Sequence, residues 1–249
     1  MATPVPAGAQ PPARTLYRRI KFAAYELLRV VVWGLAYVLI GFRVRGARNV
    51  PKAGPLIVVS NHLHNFDMIV LSAAVPRPIY YMAKRELFAK PFPNWFIRNF
   101  GGFPVNRGAI DRAALRHVGL LLAEGLVVGI LPEGTRSTTR ALQEGNPGVA
   151  LIAMQQGVPL LPVGITGTQD LPFDAKGTGA RWFGRARARV TIGKPFTLPP
   201  RRPGEKPDLA AATERIMLEI AALLPPEYRG VYADRLAAAQ ARGEYLDRA

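Results

Sequence analysis

Two histidines and an aspartate crowd into "SNHLHNFD", residues 60–67, at the end of the apolar run Leu56-Ile57-Val58-Val59. The whole chain holds 3 histidines, so a pair in one octet asks for a reason. On a continuous helix, residues five apart point about 140° away from each other. A turn that enters a helix at Asp67 instead brings His62 and Asp67 together. An aspartate that accepts from the Nδ1–H fixes the imidazole tautomer, leaves Nε2 as a base and stabilises the imidazolium. The plain alternative is a turn histidine followed by a helix-capping aspartate, and spacing alone leaves both open.

The nucleophiles of covalent acyl transfer are poorly provided. Cysteine is absent, which removes disulfides, thiolates and Cys-ligated zinc. The serines are Ser60, Ser72 and Ser137, and none stands in G-x-S-x-G. What remains is a base acting on a hydroxyl that the substrate brings. A metal site built on His62 and His64 is a rival: "HLH" puts both rings on one side of an extended segment, and Asp67 and Glu133 are available to complete it. The third histidine, His117, is expected to be buried in an amphipathic helix.

A second loop, "PEGTRS" (132–137), follows another apolar run, "LVVGIL". Arg136 offers a guanidinium fork for phosphate, Gly134 permits close backbone approach, and Glu133 can hold an arginine or accept from a hydroxyl. A turn with a surface salt bridge accounts for the same residues. Arg107 in "GGFPVNRG" (101–108) carries the same two readings.

Loops of this kind need strands to launch them. After residue 45 the chain alternates strand-like and helix-like segments, which predicts one α/β domain over 46–249 with a mixed central sheet flanked by helices. Strands are expected at Leu56–Ser60, Ile79–Ala83, 126–131, Leu160–Thr166 and Arg187–Ile192. Helices are expected from Asp67, over about 110–124 with Ala114, Val118, Leu121 and Leu122 on one stripe, between Pro147 and Gly157, and from an Asp208 cap to Leu224. A polar, alanine-rich helix follows. The 249 residues suffice for such a domain, and at 49% apolar composition disorder is excluded for most of the length.

Ahead of the domain, residues 1–13 read as a flexible Pro/Ala/Gly tail. Residues 14–45 read as a helical segment that associates with membrane. Its uninterrupted apolar stretch, Val30–Phe42, is about 13 residues, short of the roughly 20 that a spanning helix needs. A helix lying in the interface, a tilted span that snorkels Arg29, and a soluble core helix compete for it. Net charge is +16, which attracts anionic lipid, phosphorylated substrates or nucleic acid. In "RARARVTIG" the alternation places Arg185, Arg187 and Arg189 on one face of a strand, either solvated or facing an anion.

Taken together, these segments resemble the glycerolipid acyltransferases, the family of lysophosphatidic acid acyltransferase. "NHLHNFD" resembles the family's N-H-x4-D block, "GGFPVNR" its second block and "LPEGTRS" its third. "GVPLLPVGI" is similar to the fourth, an apolar segment around a proline. All four stand in the family's order across residues 56–166. The resemblance implies that His62 is the general base and Asp67 its orienting partner. It implies that Arg107, Glu133 and Arg136 hold the glycerol phosphate, with Gly134 and Thr135 shaping the loop, and that no metal or other cofactor is required. The expected reaction moves a fatty acyl group from an acyl thioester (acyl-CoA or acyl carrier protein) to the hydroxyl of lysophosphatidic acid. Glycerol-3-phosphate or another lysolipid is the alternative acceptor. The implied partners are anionic membrane lipids rather than nucleic acid, at the cytoplasmic face of the cell membrane. His64 departs from the family, which often has serine there, and leaves room for a second proton acceptor or a headgroup contact.

Two rivals stand outside the family: a metal-dependent hydrolase using His62, His64 and Asp67, and a non-catalytic basic protein.

Overall fold

The computed structural model describes residues 27–89, 94, 97–98, 101–105, 112–172, 187–199 and 206–244. Its centre is a seven-stranded mixed sheet among the described residues, in the order β1-β7-β6-β2-β5-β3-β4. The strands are β1 (Arg43–Arg45), β2 (Leu56–Ser60), β3 (Ile79–Lys84), β4 (Gly102–Val105), β5 (Val127–Ile130), β6 (Leu160–Thr166) and β7 (Arg189–Ile192). Every pairing is parallel except β6 with β7.

β2 lies between β6 and β5, and all five of its residues are buried. A parallel strand covered on both faces must be apolar throughout, and "LIVVS" meets that need up to its last residue. Alternate side chains separate to two cores. Ile57, Val59, Val128 and Ile130 face one, where α3 (Arg112–Ala123), α4 (Gly148–Gln156), α5 (Leu209–Ala221) and α6 (Ala233–Ala241) pack. Leu56, Val58, Val127, Ile79 and Tyr81 face the other, closed by α2 (Asp67–Ala74) and by α1, a helix described over 27–40.

β2 is also the topological switch point. The chain passes from β2 through β3 and β4 on one side, returns at β5, then crosses β2 to reach β6. Loops leaving the carboxyl ends of strands on either side of such a point form a crevice. Here they are 61–66, 131–147 and 167–172.

Several expectations need correction. The N-terminal helix does not run to residue 45: Gly41 adopts φ +57, and Arg43–Arg45 pairs with Arg189–Thr191 as the sheet's edge. Gly102–Val105, absent from the expected strands, is the opposite edge strand, a position that tolerates Pro104 because no further strand among the described residues requires its missing N–H. β7 begins at Arg189 rather than Arg187, so Arg187 lies ahead of the strand and Arg185 lies outside the described residues. His117 is exposed, one position off the buried stripe of α3, with its ring edge-on to Phe103 at 4.7 Å.

Among the described residues no helix is long and apolar enough to cross a membrane. α1 packs Val32, Ala36 and Ile40 on the core, a four-residue repeat. Arg29 donates from Nη1 to the Ala73 carbonyl at the end of α2, 3.2 Å away. The other sides of α1 remain apolar and open, with Val30 at 56%, Leu35 at 56% and Val38 at 78% exposure.

Candidate active site

His62 and Asp67 meet at the end of β2. The Nδ1 of His62 lies 2.8 Å from Oδ2 of Asp67, with the aspartate fully buried and the imidazole 9% exposed. The five-residue spacing closes because residues 61–66 form a tight loop, and Asp67 begins α2. That loop is itself folded around the carboxylate: Oδ2 also accepts from the amides of Leu63 (2.6 Å) and His64 (2.7 Å). Of the two readings that spacing left open, the His62–Asp67 contact forms and the helix cap does not: the N-cap of α2 is Phe66, and Asp67 accepts from amides that precede the helix. Asp67 organises the turn and orients the ring with the same oxygen.

The loop is pinned to its neighbours. Asn61 reaches across to β6, donating to the Ile165 carbonyl at 2.8 Å and accepting from the Ile165 amide at 2.7 Å. The backbone of His62 is clamped from both ends by the second loop. Its amide donates to Oε1 of Glu133 at 2.8 Å, and its carbonyl accepts from the Ser137 amide at 2.8 Å. "PEGTRS" thus grips the histidine two ways. Gly134 makes the tight turn between these contacts with φ +69, and a Cβ there would approach the Asn146 amide group to 3.0 Å. Arg136 is partly buried and precedes Ser137; Thr135 is exposed.

Glu133 differs from the role implied for it. It is buried, and both carboxylate oxygens accept from the chain itself. Oε2 takes the Gln143 amide (3.0 Å) and the Gln143 side chain (3.2 Å), while Oε1 takes His62. Burial pushes its carboxyl up, and the bonds from Gln143 and His62 oppose that. His64 also departs from expectation. It is fully buried with its ring against Phe66, and its Nδ1 accepts from the Phe66 amide at 3.2 Å. A ring so placed reads as a loop brace rather than a second proton acceptor. Among the described residues no three histidine, aspartate or glutamate side chains gather as a metal-binding group, so the set imagined from "HLH" does not form.

Arg107 lies outside the described residues. A cavity of about 510 Å³ opens between β3, β4 and α3, lined in part by Tyr80, Phe103, Pro104 and Ala114. None of the residues that hold His62 lines it. One participant went unread in the sequence. Thr168, in the loop after β6, donates to Oδ1 of Asp67 at 2.6 Å. A threonine just past the carboxyl end of a predicted strand was the available signal.

Comparison with known proteins follows the same lines. The Acyltransferase family model matches residues 41–166, just over half of the chain. The 1-acyl-sn-glycerol-3-phosphate acyltransferase of Bacillus subtilis (strain 168) is 29% identical over 160 residues, covering 63% of this chain and 74% of that protein. The alpha form from Ovis aries is 28% identical over 210 residues, covering 82% of this chain and 71% of that protein. The crystal structure of the 1-acyl-sn-glycerophosphate (LPA) acyltransferase PlsC from Thermotoga maritima superposes with a TM-score of 0.62 at 26% identity, covering 82% of this chain and 79% of that one. A matched region that begins just before β1 and ends with β6 contains the whole His62–Asp67–Glu133 arrangement, and the chain belongs to the acyltransferase family, enzymes of acyl transfer.

Proposed function

We propose that this enzyme acylates the free hydroxyl of lysophosphatidic acid, with an acyl thioester as donor. The observation that carries the reading is the His62–Asp67 contact at the switch point, in a chain whose relatives carry that activity in their names. With Nδ1 held by Asp67, the base is Nε2. It takes the proton of the lipid hydroxyl as that oxygen attacks the thioester carbonyl carbon. The C–S bond then breaks, and the imidazolium returns its proton to the departing thiolate. No covalent acyl-enzyme is needed, which suits a chain without cysteine. Purified protein given one labelled acyl-CoA should acylate lysophosphatidic acid in preference to glycerol-3-phosphate and other lysolipids. Preference for any of those instead would redirect the acceptor assignment.

Arg136 is assigned the acceptor's phosphate, because it stands in the loop that clamps His62, immediately before Ser137, whose amide bonds the His62 carbonyl. Arg136→Ala should raise the KM for lysophosphatidic acid by roughly 10-fold or more while leaving that for the acyl donor near its starting value. Equal effects on both substrates would misplace the phosphate.

The lipid substrate also gives α1 a purpose. Its open apolar side fits the boundary between headgroups and acyl chains. Its carboxyl end carries cations: the Arg43 guanidinium lies over the Tyr37 ring at 4.4 Å, and the Arg187 side chain packs beside Gly41. Because β7 runs antiparallel to β6, Arg189 pairs with Thr166 and with Arg43, at the same end of the sheet as His62. An enzyme docked through this end would meet its acceptor without lifting it into water. Val38→Glu should reduce binding to phosphatidylglycerol-containing vesicles by roughly 10-fold, the loss expected for one buried valine. Unchanged co-sedimentation would remove α1 from the docking surface.

A further inference from the structure

We infer that Thr168 is a positioning residue for the His62–Asp67 pair, the third member of a hydrogen-bonded chain Thr168–Asp67–His62. The inference rests on the reading of His62 as the base and adds a residue that none of the four sequence blocks contains.

A carboxylate offers roughly four acceptor sites over its two oxygens. On Asp67, three of the contacts fall on Oδ2: the His62 ring and the amides of Leu63 and His64. Oδ1 receives Thr168, the one donor to it among the described residues. Both side chains are fully buried. A carboxylate secured at one oxygen alone can rotate about its Cβ–Cγ bond and slide that oxygen off the imidazole. A donor on the opposite oxygen blocks the rotation. The two loops are fastened independently, since Asn61 ties the start of the His62 loop to Ile165, three residues before Thr168.

The backbone is built to deliver this hydroxyl. β6 ends at Thr166, and the chain must turn at once for residue 168 to reach Asp67, 101 positions earlier. Gly167 makes that turn with φ +81, and a Cβ on it would lie 2.1 Å from the Arg187 carbonyl oxygen. Any other residue would push the loop off the backbone at Arg187, just ahead of β7, or the threonine off the aspartate. A one-turn 3-10 helix, Thr168–Asp170, then fixes the new direction.

Thr168→Val keeps the shape and removes the donor; Thr168→Ser keeps the donor and removes a methyl group. The valine variant should lose roughly 10- to 100-fold in kcat, the worth of one hydrogen bond to a buried charge, with both KM values near wild type. The serine variant should recover most of that loss. A readout independent of turnover is the proton resonance of the His62 Nδ1–H, identified by its absence in His62→Ala. It should move in Thr168→Val and return in Thr168→Ser. Full activity in the valine variant, equal damage from serine and valine, or an unmoved resonance would each overturn the inference. If wild-type protein transfers no acyl group yet the resonance responds as described, the function assigned above fails and this positioning role stands.

Discussion

His62→Ala is expected to abolish measurable acyl transfer while leaving a folded protein. The ring is held by its Nδ1 and by its own backbone, and α2 and β2 continue without it. General-base catalysis contributes about 10²–10⁴-fold, and removing the base also removes the acid that protonates the leaving thiolate. The loss should appear in kcat, since binding of the lipid phosphate and of the acyl chain uses other groups. Asp67→Asn separates two functions of one carboxylate. The carboxamide oxygen can still accept from the loop amides, but the side chain no longer bears the negative charge that stabilises the imidazolium. A loss comparable to that of His62→Ala, together with a near-normal melting temperature, is the expected pattern. Turnover retained in His62→Ala would refute the base assignment, and the chemistry would then have to come from outside the pair.

Much of this arrangement was legible because local signals agreed. β2 reads as a fully buried parallel strand, α4 is bracketed by Pro147 and Gly157, and Asp208 caps α5 by accepting from the Ala211 amide at 2.9 Å. The edges were not legible. Three residues of β1 carry no period of their own and follow directly on an apolar helix, and their strand character comes from pairing with Arg189–Thr191, almost 150 positions away. β4 hides in the same way behind two glycines and a proline. Burial on α3 was misjudged at His117, which stands one position off the correctly read stripe and is exposed, with its ring against Phe103 of β4.

At the site, identity was legible and partnership was not. His62 and Asp67 are chemically matched and near in sequence, so the turn between them could be inferred. Thr168 is as close to Asp67 as His62 is, yet nothing local marks it, because the contact exists only once β6 lies beside β2. Glu133 shows the opposite failure. An acidic residue between a strand and a guanidinium invites a ligand-binding role, whereas its contact with the His62 amide, 71 residues away along the chain, is visible only in three dimensions.

That displacement of role makes Glu133→Ala the second large effect. Truncation leaves the buried His62 N–H and the Gln143 N–H without acceptors, at about 2–4 kcal/mol in total, and opens a void beneath the loop. For a chain of this length such a loss lowers the melting temperature by roughly 5–15 °C. The catalytic consequence runs through position: with its amide released, His62 keeps Asp67 but loses one of the two clamps on its backbone, and a displacement on the order of 1 Å is worth about 100-fold in rate. The expected result is a destabilised enzyme with a much lower kcat and an acceptor KM close to wild type. Glu133→Gln should fall between, since one amide oxygen can serve either His62 or Gln143 but not both. Had Glu133 contacted the acceptor directly, the pattern would invert, with KM raised and stability untouched. Kinetics and a thermal melt on the same two variants therefore decide whether the carboxylate of "PEGTRS" holds the substrate or holds the base.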